Sequence, residues 1–347
     1  DLHEIKNGSK DVVDYITPTG PSDRTARAGY VGRLNYAYKS KYLAELVARY
    51  DASYNFAPEN RWGLFPAASL GWVISQEDFF DNLSSTINML KVRGSAGLLG
   101  NDRIGEFQYL QTFSLTTSPV VVIGGRPVTA LFTTAVPNRD ITWEKTTTYN
   151  VGFEATLWRG KLDVEFDWFY KITRDILDNV AGIYPPSVGG NFPSVVTRSI
   201  VDNRGFDLRL SHRNTIGRKL RYGITGNFNY AKHRLIRRDV ASGTPEWMNP
   251  LGRPLGQKVG YISEGLFQNW AEVDSWPSSP SGGAAPGFIK YRDLNGDGQI
   301  TQGGDFTFIG RSNFPEIMYG LNLDLQYGAF DLSALFQGAA RADVSLG

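Results

Sequence analysis

The sequence predicts an all-β chain of the antiparallel transmembrane β-barrel class, on three observations. Apolar and polar residues alternate strictly in paired runs. Aromatic residues make up 13% of a chain that is slightly polar overall, with a mean hydropathy of −0.28. Connections between the runs are alternately short and long. A barrel wall combines these properties because only every second residue meets lipid and aromatics collect at both interfaces. A chain of 347 residues would ordinarily divide into two or more domains, yet no linker-like change of texture appears after about residue 26. Residues 1–347 are therefore read as part of a single barrel domain.

The runs follow in order. Tyr30, Gly32, Leu34, Tyr36 and Tyr38 share one face, and after Lys39-Ser40 so do Tyr42, Ala44, Leu46, Ala48 and Tyr50. Weaker strands fit Ala67 to Ile74 and Leu90 to Leu98. The clearest hairpin sets Tyr149, Val151, Phe153, Ala155 and Leu157 against Leu162, Val164, Phe166, Trp168 and Tyr170 around Trp158-Arg159-Gly160. Opposite them, Asp163, Glu165 and Asp167 alternate with the apolar positions, more contrast than a half-buried strand needs. Two further hairpins run from Phe206 to Leu210 with Leu220 to Tyr230, and from Ile317 to Tyr327 with Phe330 to Phe336, for ten strands in all.

Long connections are expected at 53–65, 99–144, 174–203 and 232–315, and a small helix at 75–87. In outer-membrane barrels short turns face the periplasm and long loops face outside, so this parity orients the wall. Tyr38, Tyr42, Trp158, Tyr327 and Phe330 lie beside short turns, whereas Tyr50, Tyr149, Tyr170 and Tyr230 lie towards the long loops, suggesting two girdles. The competing reading of these rings is that Tyr and Phe are good strand formers.

Other classes are set aside by composition. Lys and Arg number 36 against 35 acidic residues, so no global field favours nucleic acid. Without cysteine there is no thiol chemistry, disulfide or Cys-zinc site. No run of about 18 apolar residues offers a spanning helix, and the opening segment is expected not to be a signal peptide. No Gly-x-Ser-x-Gly elbow, phosphate-binding Gly-Lys loop or paired His motif points to an enzyme, and His212 is expected at the surface beside a turn.

Specific residues then carry a resemblance. Asn60-Arg61-Trp62-Gly63-Leu64-Phe65-Pro66 through Gly71-Trp72, followed by Glu77-Asp78-Phe79-Phe80, is similar to a stretch of SusC/RagA-type TonB-linked outer-membrane proteins. Leu90 to Ser95, Trp143 to Thr146, Asn203 to Leu208 and Tyr291 to Gly298 resemble further segments of that family in the same order. The resemblance implies outer-membrane import of an oligosaccharide or peptide through a plugged barrel, energised by the TonB complex and capped by a SusD-like lipoprotein. It also implies a missing plug and missing final strands, because such transporters need about 22 strands. A passive porin or structural barrel, and a secreted β-rich binding protein, are the alternatives.

Candidate sites follow. Glu45, Arg49, Asp163, Glu165, Asp167 and Arg209 are expected to face the lumen, either steering substrate or simply filling a wet interior. Trp143, Trp247, Trp270 and Trp276 are candidates to stack on a sugar ring, or else pack loop against loop or lid. Asp293, Asn295 and Asp297, with Thr301, have the spacing of a calcium loop, but the twelfth position is Gly304 and the acid, Asp305, comes one residue late. The two readings are a structural Ca²⁺ and a series of Asx turns. No other cofactor is implied.

Overall fold

The computed structural model describes residues 25–105, 108–115, 121–128, 131–135, 137–179, 195–278 and 283–344. The opening segment read for a leader lies outside them. Ten strands form one antiparallel sheet in which every strand pairs with its neighbour in sequence along the wall. They are β1 (Arg27–Tyr38), β2 (Tyr42–Ser53), β3 (Trp62–Val73), β4 (Ile87–Asn101), β5 (Glu144–Leu157), β6 (Leu162–Asn179), β7 (Val195–Ile216), β8 (Leu220–Arg237), β9 (Ile317–Tyr327) and β10 (Phe330–Ala340). This meander is the local topology of an up-and-down wall, and it confirms the all-β class. Among the described residues no helix is long and apolar enough to cross a membrane, which leaves crossing by strands untouched.

The register explains the face pattern. Tyr38 pairs with Tyr42 and Tyr42 with Trp72, while Phe153 pairs with Phe166, Phe166 with Leu208 and Leu208 with Phe228. Directly opposed residues project to one side, so the apolar sets of all ten strands merge into one continuous face. That face is open: Leu34, Leu46, Leu64 and Leu70 are each more than half exposed. In water so large an apolar surface would be untenable, and lipid is the solvent that suits it.

The ends of this face are aromatic. Tyr38, Tyr42 and Trp72 stack in series with centroids 6.4 Å apart beside the short turns. Tyr30 and Tyr50 stack on Trp62 at 6.2 and 4.6 Å at the other end. The short β5–β6 turn places Trp158, Arg159 and Gly160 at φ 54°, 58° and 81°. Such left-handed backbone matches the twist of a tight hairpin.

Several expected boundaries are corrected. The connection expected at 174–203 is strand at both its described ends, since β6 and β7 pair as far as Asn179 with Val195. Period two fails there because the ladder shifts at Thr173 to Ile176, where Asp175 takes φ 59°. The connection expected at 53–65 is also shortened, because β3 begins at Trp62. Pro66 disguised it, but β4 pairs with β3 only from Ala67 onward, so Pro66 needs no amide on that side. The expected helix at 75–87 is instead two 3₁₀ segments, Ile74–Gln76 and Asp78–Leu83. The connection between β4 and β5 carries two small hairpins, Thr112–Leu115 with Leu131–Ala135 and Val121–Ile123 with Arg126–Val128.

Among the described residues the core cluster lies at the outer end. Phe56, Phe65, Ile141 and Trp143 form a core cluster with Leu98, Ile104 and Leu177 against it. Between β8 and β9 the chain folds into short strand pairs, Gln257–Gly260 with Thr307–Ser312 and Ser263–Leu266 with Ile289–Tyr291, flanked by the helices Trp270–Ser275 and Gln302–Asp305.

Candidate functional site: a charged inner face beneath packed loops

Glu45, Arg49, Asp163, Glu165, Asp167 and Arg209 all fall on the face opposite the apolar one. Three of them, Glu165, Asp167 and Arg209, belong to one network. Glu165 and Asp167 on β6 meet Arg93 on β4 across β5, and Glu165 also meets Arg209 on β7, while Asp163 pairs beside it with Arg213 on β7. Arg93 Nη2 donates to Asp167 Oδ2 at 2.5 Å and to Glu165 Oε1 at 3.3 Å, and its Nε lies 3.0 Å from Glu154 Oε1. Lys91 Nζ adds a contact to the same Glu154 oxygen at 3.5 Å. Arg213 pairs with Asp163, whose other oxygen accepts from Thr156 Oγ1 at 2.9 Å. Glu45 and Arg49 stand apart, paired with Arg33 and Asp51.

Arg93 reaches β6 only because β5 contributes no side chain in between. Gly152 pairs with both Arg93 and Asp167, and a Cβ there would collide with Asp167 Oδ1 and sit 2.5 Å from Phe166 O. Sequence reading singled out the β6 acids but missed Lys91, Arg93, Glu154, Arg213 and Gly152. The alternation Leu90-Lys91-Val92-Arg93 was the available signal for the two β4 cations.

At the short-turn end the family-like Glu77 is a junction. Its carboxylate accepts from Tyr42 OH at 2.7 Å, Trp72 Nε1 at 3.0 Å and Lys41 Nζ at 3.1 Å. Those bonds, the Tyr42 hydroxyl first, then Trp72 and Lys41, hold Glu77 below the usual carboxylate range. The Lys41 ammonium is correspondingly raised, chiefly by its hydrogen bond to Glu77. His212, expected at the surface, lies on the apolar face with Nε2 3.0 Å from Tyr222 OH.

Three of the four candidate tryptophans are packing residues here. Trp143 is 6% exposed, packs on Phe56 and Phe65 and donates to Arg61 O at 3.1 Å. Trp247 donates to Gly304 O at 3.0 Å, and Trp276 donates to Tyr291 O at 2.9 Å with Lys290 over its ring. Trp270, at 62% exposure, presents its ring to solvent.

The Asp293 loop is organised through amides. Asp293 accepts from Gly296 and Gly298, Asn295 from Asp297, and Asp297 from Gln299. Gly304 donates its amide to Thr301 Oγ1. Fully buried Asp305 points back into the loop and accepts from Leu294 N and Thr301 N, both at 2.7 Å. That pattern is a series of Asx turns closed by a buried carboxylate. Among the described residues no three His, Cys, Asp or Glu converge as a metal ion requires.

With this geometry in view, comparison with known proteins is informative. The family model for the TonB dependent receptor-like β-barrel matches residues 3–316. The chain is 27% identical over 346 residues to TonB-dependent receptor P3 of Formosa agariphila, covering 95% of this chain and 33% of that protein. It is 25% identical over 327 residues to TonB-dependent receptor SusC of Bacteroides thetaiotaomicron, covering 91% and 31%. The fold matches the RagAB peptide importer in its open-open state with a TM-score of 0.71 at 20% identity, over 92% of this chain and 33% of that one. The chain thus spans about a third of the length of the curated relatives it matches. Sequence match and sheet agree that the chain belongs to the TonB-dependent receptor-like β-barrel family of the bacterial outer membrane, whose members are transporters and not enzymes.

Proposed function

We propose that this chain is a stretch of the wall of an energised importer that takes up an oligosaccharide or peptide, driven through TonB and closed outside by a SusD-like lipoprotein. The observation that carries the reading is the two-sided wall: an apolar face free of charge between its aromatic rings, and an opposite face bearing the Arg93 network. A wall of that kind separates lipid from a hydrated interior. The likeness to SusC and to a peptide importer supports the energised form over a passive pore. In this reading the inner charges border the lumen, and Trp270 is the tryptophan placed to meet substrate or lid.

Uptake of labelled oligosaccharides and peptides by cells carrying the full-length receptor tests this. Transport abolished by deletion of the receptor and by loss of TonB is the expected result. Transport that persists without TonB would move the function to passive diffusion.

A further inference from the structure

The outward face of β5 to β8 reads as horizontal rows, because opposed residues share a side. From Leu162 and His212 up to Trp168, Phe206 and Tyr230, these rows contain no Lys, Arg, Asp or Glu. The next row, one step towards the long loops, is Tyr149, Tyr170, Arg204 and Lys232. Arg204 and Lys232 are direct cross-strand partners.

Like charges set directly opposite destabilise a sheet. Neither cation has a carboxylate partner among the described residues. The acid one row above, Asp202, is 2% exposed and fully engaged by Arg234, at 3.2 Å from Nε to Oδ1 and 2.7 Å from Nη2 to Oδ2. Two uncompensated cations therefore flank the upper edge of the lipid-facing surface, beside the Tyr170 ring. Set directly opposite one another on paired strands with no carboxylate between them, these two cations call for an anion from outside the chain.

We propose that Arg204 and Lys232 hold a phosphate of an outer-leaflet lipid headgroup. The height is right, since the row lies at the outer aromatic ring where headgroups begin. The chemistry is right as well: a guanidinium fork and an ammonium beside it form a phosphate clamp, and the anion relieves their repulsion. Acyl chains of the same lipid would lie down the apolar rows beneath.

Native mass spectrometry of the full-length receptor in mild detergent tests the site, with bisphosphorylated lipid A, its dephosphorylated counterpart and inorganic phosphate as probes. Arg204→Ala with Lys232→Ala is expected to lower retention of the phosphorylated lipid about tenfold. The charge-conserving pair Arg204→Lys with Lys232→Arg is expected to keep it, and the heat-modifiable mobility of each variant reports that the barrel is folded. Equal retention by the double alanine variant, or equal binding of the dephosphorylated lipid to the parent protein, would overturn the proposal. Displacement of the lipid by millimolar inorganic phosphate would overturn the headgroup assignment in favour of a free-anion site.

Discussion

The wall and the segment between β8 and β9 meet opposite solvents, and their side chains are distributed accordingly. On the wall the large residues are outside: Leu34, Leu70 and Leu332 are each more than 60% exposed. In the loop segment the order is that of a water-soluble protein, with Phe267, Ile300 and Asp305 buried and Tyr261 packed on Phe306 at 4.5 Å. The wall draws its order from the backbone ladder and from lipid, whereas the loops draw theirs from a small core and from side chains that satisfy amides. A substitution should therefore have different consequences in the two regions.

The largest expected effect breaks the contrast directly. Leu208→Arg, in the middle row of the outward face, should cost about 2–4 kcal/mol in a bilayer. Trp270→Arg on the loop surface should cost about 0.5 kcal/mol or less. Equilibrium folding of the full-length receptor into vesicles measures both, and equal costs would mean that the outward face is not in lipid.

Next in size is Asp305→Ala, which removes a buried acceptor from Leu294 N and Thr301 N and should destabilise the loop by about 2–3 kcal/mol. Hydrogen exchange should rise across residues 293–305 while the wall strands stay protected. In the parent receptor the same protection should survive a calcium chelator, because amides organise the loop; its loss on chelation would establish a metal site there.

Within the wall, Arg93→Ala should cost about 1–3 kcal/mol by stranding the largely buried Asp167, which is 9% exposed. Thermal unfolding monitored by the heat-modifiable gel shift reads this. Gly152→Ala should mimic it through steric block, so a neutral Gly152→Ala would show that Arg93 does not need the gap over β5.

The smallest effect is a pH response at the short-turn end. Glu77 titrates below its unfolded value, so its contribution is present above that value and is lost as pH falls through the depressed folded one. Lys41 is raised, so its part is present below the ordinary lysine value and lost only as pH rises through the higher folded one. Trp72 fluorescence should thus change in acid and again in strong base, and Glu77→Gln should remove the acid step. An unaltered acid step in that variant would assign it to another carboxylate.

Legibility followed the solvent. Where β2 or β6 crosses lipid, one face must be apolar and the other need not be, so period two is enforced and the hairpins read directly from Tyr42 to Tyr50 and Leu162 to Tyr170. Above the membrane both faces of β6 and β7 meet water or loops. There Arg174 to Asn179 carried no such pattern, and those residues read as a connection. Trp143, a candidate for sugar stacking, is a core residue because Phe56 and Ile141, distant in sequence, converge on it.

The sequence by itself determined the ten strands of the wall, its two faces, the short-turn end and the family, because each rests on local alternation or on runs of adjacent residues; the eight short strands among the described loop residues it did not show. Only the tertiary structure decided that Arg93 spans Gly152 to reach Asp167, that Asp305 closes its own loop, and that Arg204 stands opposite Lys232. Those three depend on register between strands or on long-range closure, which a chain specifies through the summed fit of many pairs and not through any single segment.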